Sequence, residues 1–156
     1  MIDLGAEQRA LFRRWPAGVS VVVAEVDGRR HGLTVSSLVS LSLEPPLVGI
    51  SISLQASLHE LLRASDEWTA SILAGGQEHL AQHFARSVPP IALWNGVRVR
   101  SDDARLLEGA AGWLVARTVA EHRTGDHTFF VGEILAIEEG TAADSLTYVH
   151  HTYKSV

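Results

Sequence analysis

The sequence predicts a mainly β domain of about six antiparallel strands closed into a barrel, with two or three short helices. Three observations carry this. Aliphatic and β-branched runs of strand length recur along the chain, as in residues 18–26, 47–53 and 128–139. Tight turn signals join neighbouring runs at Asp27-Gly28 and over residues 124–127, which makes the pairing antiparallel. The helical patterns are short and few, so strands dominate. An antiparallel sheet of this size removes its exposed edges most simply by closing on itself.

The elements follow in order. Residues 5–14 form a short amphipathic helix, with Leu11 and Trp15 four apart, and Pro16 favours a stop. A strand over residues 18–26 turns at Asp27-Gly28 into a return strand from His31 through Val35. Ser36 to Leu43 alternates Ser with Leu and Val as a strand does, and Glu44-Pro45-Pro46 bends the chain. Leu47 to Ser53 places Val48, Ile50 and Ile52 on one face and Gly49, Ser51 and Ser53 on the other. The first face belongs in the core; the second is small and polar and suits a ligand. Ser57 and Glu60 have the spacing of a capping box at the start of a helix over 58–64. A strand over 68–74 and a helix over 77–85 follow. Residues 86–110, with Pro89-Pro90 and Asn95-Gly96, read as a long excursion over the surface. Residues 111–123 and 128–139 form a long hairpin, and a short strand near 146–148 closes the fold.

The chain has 156 residues, enough for a single domain over 1–156 with one core. A hydrophobic fraction of 46% with 20% charged residues excludes bulk disorder. The net charge of −5 and scattered basic residues argue against a nucleic-acid partner. There is no cysteine, which excludes disulfides, thiolate zinc sites and thiol catalysis and fits a cytoplasmic protein. The apolar runs are far shorter than the ~20 residues of a membrane helix, so no membrane association is expected.

Four features have chemical potential. The hydroxyls and amides of Thr34-Val35-Ser36-Ser37 either grip a polar ring edge or phosphate, or line a turn. Ser57 either caps its helix or stands at an anion site made by the free amides of the first turn. His127, in the 124–127 hairpin, is either a surface loop residue or a group able to orient or protonate a ligand. His79 and His83 are four apart, but the motif lacks the Glu of HExxH and no third ligand is evident, so no metal is expected. No GxGxxG, phosphate-binding P-loop or GxSxG elbow occurs, so a nicotinamide, if used, is not held by a Rossmann unit.

The blocks GLTVSS, SLEPPL, QEHLAQHFA and GDHTFFVGE, in this order and followed by LTYVHHTYKSV, resemble the flavin reductase-like family. These are short reductase components of two-component flavin-dependent monooxygenases. The resemblance covers nearly the whole chain, matches poorly over 86–105, and departs at Ser36, where the family often has Asn. It implies a Greek-key FMN-binding split barrel, a homodimer, and hydride transfer from NADH or NADPH to FMN or FAD for a partner monooxygenase. Carried over by position, Thr34, Val35, Ser36 and Ser37 would line the flavin ring, with Ser51 and Ser53 at the ring or ribityl chain. Ser57 and the Leu58 amide would hold the phosphate, and Phe84 and Arg86 would lie beside the flavin tail. His127 would be the catalytic residue at the nicotinamide, with Tyr148 and Tyr153 covering it. The alternatives are an FMN-holding electron carrier of the same fold and a barrel binding some other small anion without redox chemistry.

Overall fold

The computed structural model describes residues 1–156. Helix α1 (Leu4–Phe12) is followed by strands β1 (Ala17–Gly18), β2 (Ser20–Val26), β3 (Arg29–Val35), β4 (Val39–Leu43) and β5 (Pro46–Ser53). Helix α2 (Ser57–Ala64), β6 (Glu67–Ile72) and α3 (Glu78–Ala85) come next. The long hairpin of β7 (Gly112–Thr124) and β8 (His127–Glu139), then β9 (Leu146–Val149) and β10 (Thr152–Ser155), complete the chain. The antiparallel, mainly β expectation holds, and the strand count is ten rather than six. Seven strands form one sheet in the order β3-β2-β6-β7-β8-β5-β4, and β1, β9 and β10 form a second. The two-residue β1 and the four-residue β10 have no alternating pattern long enough to register in the sequence.

Connectivity explains the barrel. In a flat seven-stranded sheet the edges would stand roughly 29 Å apart, at about 4.8 Å per neighbouring pair. Yet β3 and β4 are joined only by Ser36, Ser37 and Leu38, a link reaching at most about 14 Å. The sheet must therefore curl until its two edges meet. Within this link Ser37 Oγ donates to the Ser51 carbonyl of β5 at 3.1 Å and accepts from the Ser51 amide at 3.0 Å, extending the β4–β5 pairing beyond Val39 and Gly49. The hairpin at Asp27-Gly28 has positive φ at both residues (52° and 78°), which suits the twist of a two-residue turn.

Two cores result. Inside the barrel, Trp68, Phe130, Ile50 and Ile52 pack against Leu58, Leu61 and Leu62 of α2. The Trp68 indole lies over Gly132, where a Cβ would come within 2.6 Å of it. Outside, the other face of β2 (Val21, Val23) packs against α3 and Leu93, Leu107 and Leu146. This is why residues 19–24 are apolar without alternation: the strand is covered on both faces. The segment 86–110 is correspondingly not a loose excursion. It buries Leu93, Leu106 and Leu107, bridges Val99 to Leu107, and is pinned by Arg100 to Asp102 and Glu138. No helix is long and apolar enough to cross a membrane.

Candidate functional site

A run of depressions follows the outer edge of β3. The first, about 250 Å3, is lined by Thr34, Val35, Ser36, Ala85, Tyr148 and Tyr153. Tyr148 and Tyr153 arrive there because β9 and β10 pair them directly, with ring centroids 4.8 Å apart and planes tilted by 49°. Burial, with Tyr148 beside it, raises the Tyr153 phenol above its ordinary value, and both rings are half-buried. Thr34 is less available than its position suggests, because its hydroxyl donates to the Ala81 carbonyl of α3 at 2.7 Å. Val35 is buried beneath it. Ser36 is exposed.

The second depression, about 370 Å3, shares Ala85 with the first and continues to Arg86, Gln55, Ser57 and His31. Here the expected capping box is absent. The N-cap is Ala56, which has no capping side chain, and Ser57 is the first helical residue. Glu60 is drawn away by its neighbours, with Oε1 2.9 Å from His59 Nδ1 and Oε2 3.8 Å from Arg63 Nη1. The consequence is a helix start that is not self-satisfied: the Leu58 amide has no backbone acceptor and the Ser57 hydroxyl is exposed. Arg86 forms no ion pair and lies along the same depression. Burial lowers the His31 pKa below its ordinary 6.5, so the imidazole is neutral at pH 7.

Phe84 is placed differently from expectation. It is 1% exposed and belongs to the outer core. Its ring sits against Gly32, which has no side chain to hold α3 away, and lies 5.2 Å from the Trp94 ring. At this end of the helix the residues that line the depression are Ala85 and Arg86. The Ser37 hydroxyl is likewise paired with the backbone of Ser51.

His127 begins β8 opposite Ser53 of β5, and Phe129 lies opposite Ser51. The outward face expected from the spacing of β5 is thus real, but Phe129 partly fills it, its ring packing onto Gly49. Ser53 Oγ accepts from the Gln55 amide at 3.2 Å. His127 Nδ1 lies 2.7 Å from Asp126 Oδ1, and this contact holds the Asp126 carboxyl below its usual range. A single chain therefore brings together two groups. Thr34, Val35 and Ser36 line one depression with Tyr148 and Tyr153, while Ser53 lies opposite His127 and Ser51 is bonded to Ser37.

Sequence reasoning missed Trp94, His31 and Arg30 as groove residues. Trp94 donates from Nε1 to the Arg30 carbonyl at 2.8 Å across 64 residues of chain, a contact no local pattern announces. It also missed His59, buried at 4% exposure, whose Nε2 lies 2.7 Å from Thr128 Oγ1 and ties α2 to the strand that carries His127.

Residues 12–156 match the family described as flavin reductase like domain. The reductase component of 4-hydroxyphenylacetate 3-monooxygenase from Thermus thermophilus is 37% identical over 142 residues, covering 90% of this chain and 89% of that protein. An NADH-dependent flavin reductase from a Rhodococcus species is 39% identical over 132 residues, covering 81% of this chain and 72% of that protein. Among solved structures, the NADH:FAD oxidoreductase of Streptomyces globisporus C-1027, in complex with NAD and FAD fragments, superposes with a TM-score of 0.89 at 28% identity, covering 99% of this chain and 94% of that one. With a family match over nearly its whole length, this chain belongs to the flavin reductase-like family.

Proposed function

We propose that this chain is an NAD(P)H:flavin oxidoreductase that reduces FMN or FAD and supplies the reduced flavin to a partner monooxygenase. The observation that carries the reading is the linked groove. It runs from the Tyr148–Tyr153 pair past Ser36 to unpaired Arg86 and the uncapped start of α2. Such a groove suits a ligand with a planar ring at one end and a phosphate at the other. The relatives named as NADH-dependent flavin reductases support the same conclusion.

The residues present fit a flavin. Ser57, the Leu58 amide and Arg86 would hold the phosphate, and Ser36 and the 34–37 backbone would meet the polar edge of the ring. When bound, the flavin accepts a hydride at N5 from C4 of the nicotinamide. The protein's part is to position and to shield. Tyr148 and Tyr153 hold a flat ring and exclude water from that side of the groove. His127, tethered through Nδ1 to Asp126, keeps Nε2 free to orient a carboxamide. The active unit is a homodimer in the cytoplasm. Helix α1 buries none of its residues in its own chain and exposes Leu11 and Phe12 beside Trp15, while β4 exposes Leu41 and Leu43. A second copy of this chain would cover such surface.

Purified protein mixed with FMN or FAD and each nicotinamide in stopped flow is expected to reduce flavin over many turnovers. Tightly held flavin with only slow NADH oxidation would instead identify an electron carrier, and failure to bind any flavin would leave the anion-binding barrel. His127→Ala is expected to raise the KM for NADH about tenfold, the scale of one lost hydrogen bond to a polar ligand, with flavin Kd changed less than twofold. Equal loss of both would remove the role assigned to His127.

A further inference from the structure

The β9–β10 hairpin turns on His150 and His151, whose φ angles are 51° and 61°. A two-residue turn of this kind asks for glycine or asparagine, because a larger side chain crowds the backbone in the left-handed region. Elsewhere in the chain that region is taken by glycines and by Asp27. The turn is nonetheless well fastened. The His150 amide donates to the Arg13 carbonyl at 2.6 Å, and Thr152 Oγ1 donates to the His150 carbonyl at 3.3 Å. Both contacts use the backbone of His150, so neither needs an imidazole at either position.

One of the two imidazoles does have a partner. His151 Nδ1 lies 3.4 Å from the Tyr148 hydroxyl, and this is the only hydrogen bond that hydroxyl makes. Pairing with Ala17 and with Tyr153 fixes the Tyr148 backbone, and the Tyr148 ring lines the groove beside Ser36. The polar tip of that ring is therefore governed from one side, by a residue held in a conformation that glycine would adopt without strain. A strained side chain retained against a binding groove points to a use for it.

We propose that His151 is a positioning residue for flavin reduction, which acts by orienting the Tyr148 phenol; this rests on the reductase reading above. With Nδ1 unprotonated, the imidazole accepts from the phenol O–H. The phenol oxygen then keeps its lone pairs for a donor in the groove, and a nicotinamide carboxamide carries such N–H donors. Without His151 the hydroxyl rotates and presents its own hydrogen as often as its lone pairs. The side chain thus costs the turn some stability and gives Tyr148 a fixed polarity.

Four variants of the intact protein test this: His151→Gly, His150→Gly, Tyr148→Phe, and His151→Gly combined with Tyr148→Phe. Each is melted, titrated with FMN by flavin fluorescence, and assayed for NADH oxidation with FMN saturating. His151→Gly relieves the left-handed strain, so its Tm is expected to hold or to rise by about 2 °C. Its KM for NADH is expected to rise about fivefold, the scale of one hydrogen bond, with kcat and FMN Kd changed less than twofold. His150→Gly is expected to match the Tm and leave KM as in wild type. In the Tyr148→Phe background, His151→Gly is expected to leave KM unmoved, because the group it acts through is gone. An unchanged KM in His151→Gly would overturn the proposal. So would an equal rise in His150→Gly, which would trace the effect to turn backbone, or a full rise surviving in the Tyr148→Phe background. A fall in Tm on His151→Gly would remove the strain on which the role is argued and overturn it too. In each of these cases wild type still reduces flavin and the reductase reading stands. Failure of wild type to bind FMN or oxidise NADH would overturn both.

Discussion

Ser57→Asp is expected to weaken FMN binding roughly thirtyfold and to leave riboflavin, which has no phosphate, unaffected. The carboxylate would face a phosphate of about two negative charges at close range. Even at solvent-like screening each pair costs about 1 kcal/mol, or about 2 kcal/mol together. A structural cause is excluded in advance. Ser57 is the exposed first residue of α2, and an acidic side chain in the first turn favours the helix dipole. The melting temperature should therefore hold or rise while phosphate affinity falls. Isothermal titration with FMN and riboflavin side by side reads the difference. An unchanged FMN affinity would place the phosphate elsewhere in the groove.

The largest loss of stability is expected at Trp68. Its side chain is fully buried in the barrel, its Nε1 donates to Thr118 Oγ1 at 3.1 Å, and its ring fills the space left by Gly132. Trp68→Ala should cost about 3–5 kcal/mol, since a cavity of that size cannot collapse between strands fixed by their ladders. Against a typical total of roughly 5–15 kcal/mol, this leaves a marginal protein. Urea unfolding followed by circular dichroism gives the value. A loss below 1 kcal/mol would mean that the barrel interior repacks freely.

Much of this was legible in the sequence. The alternation of Val48, Ile50 and Ile52 against Ser51 and Ser53 fixes which face of β5 is core, and the structure keeps it. Asp27-Gly28 and residues 124–127 mark the two hairpins because their chemistry is local. The site was legible where it follows the backbone, at Thr34–Ser36 and at the start of α2. It was illegible where side chains have rival partners. Glu60 has the spacing to cap its own helix, yet it binds His59 and Arg63. Phe84 has the position of a groove residue, yet Gly32 admits it to the core. Segment 86–110 lacks periodicity because its order comes from contacts such as Trp94 with Arg30, which are distant in sequence.

The Ser37 clasp has a consequence for how the groove is held. Its two bonds tie the link that follows β3 to Ser51 of β5, a side chain taking the place of a backbone pair. The residue before this clasp, Ser36, borders the groove. Two positions further along β5, Ser53 lies opposite His127. One hydroxyl therefore anchors the Ser36 end of the groove to the strand that faces His127, so the two clusters share a common frame.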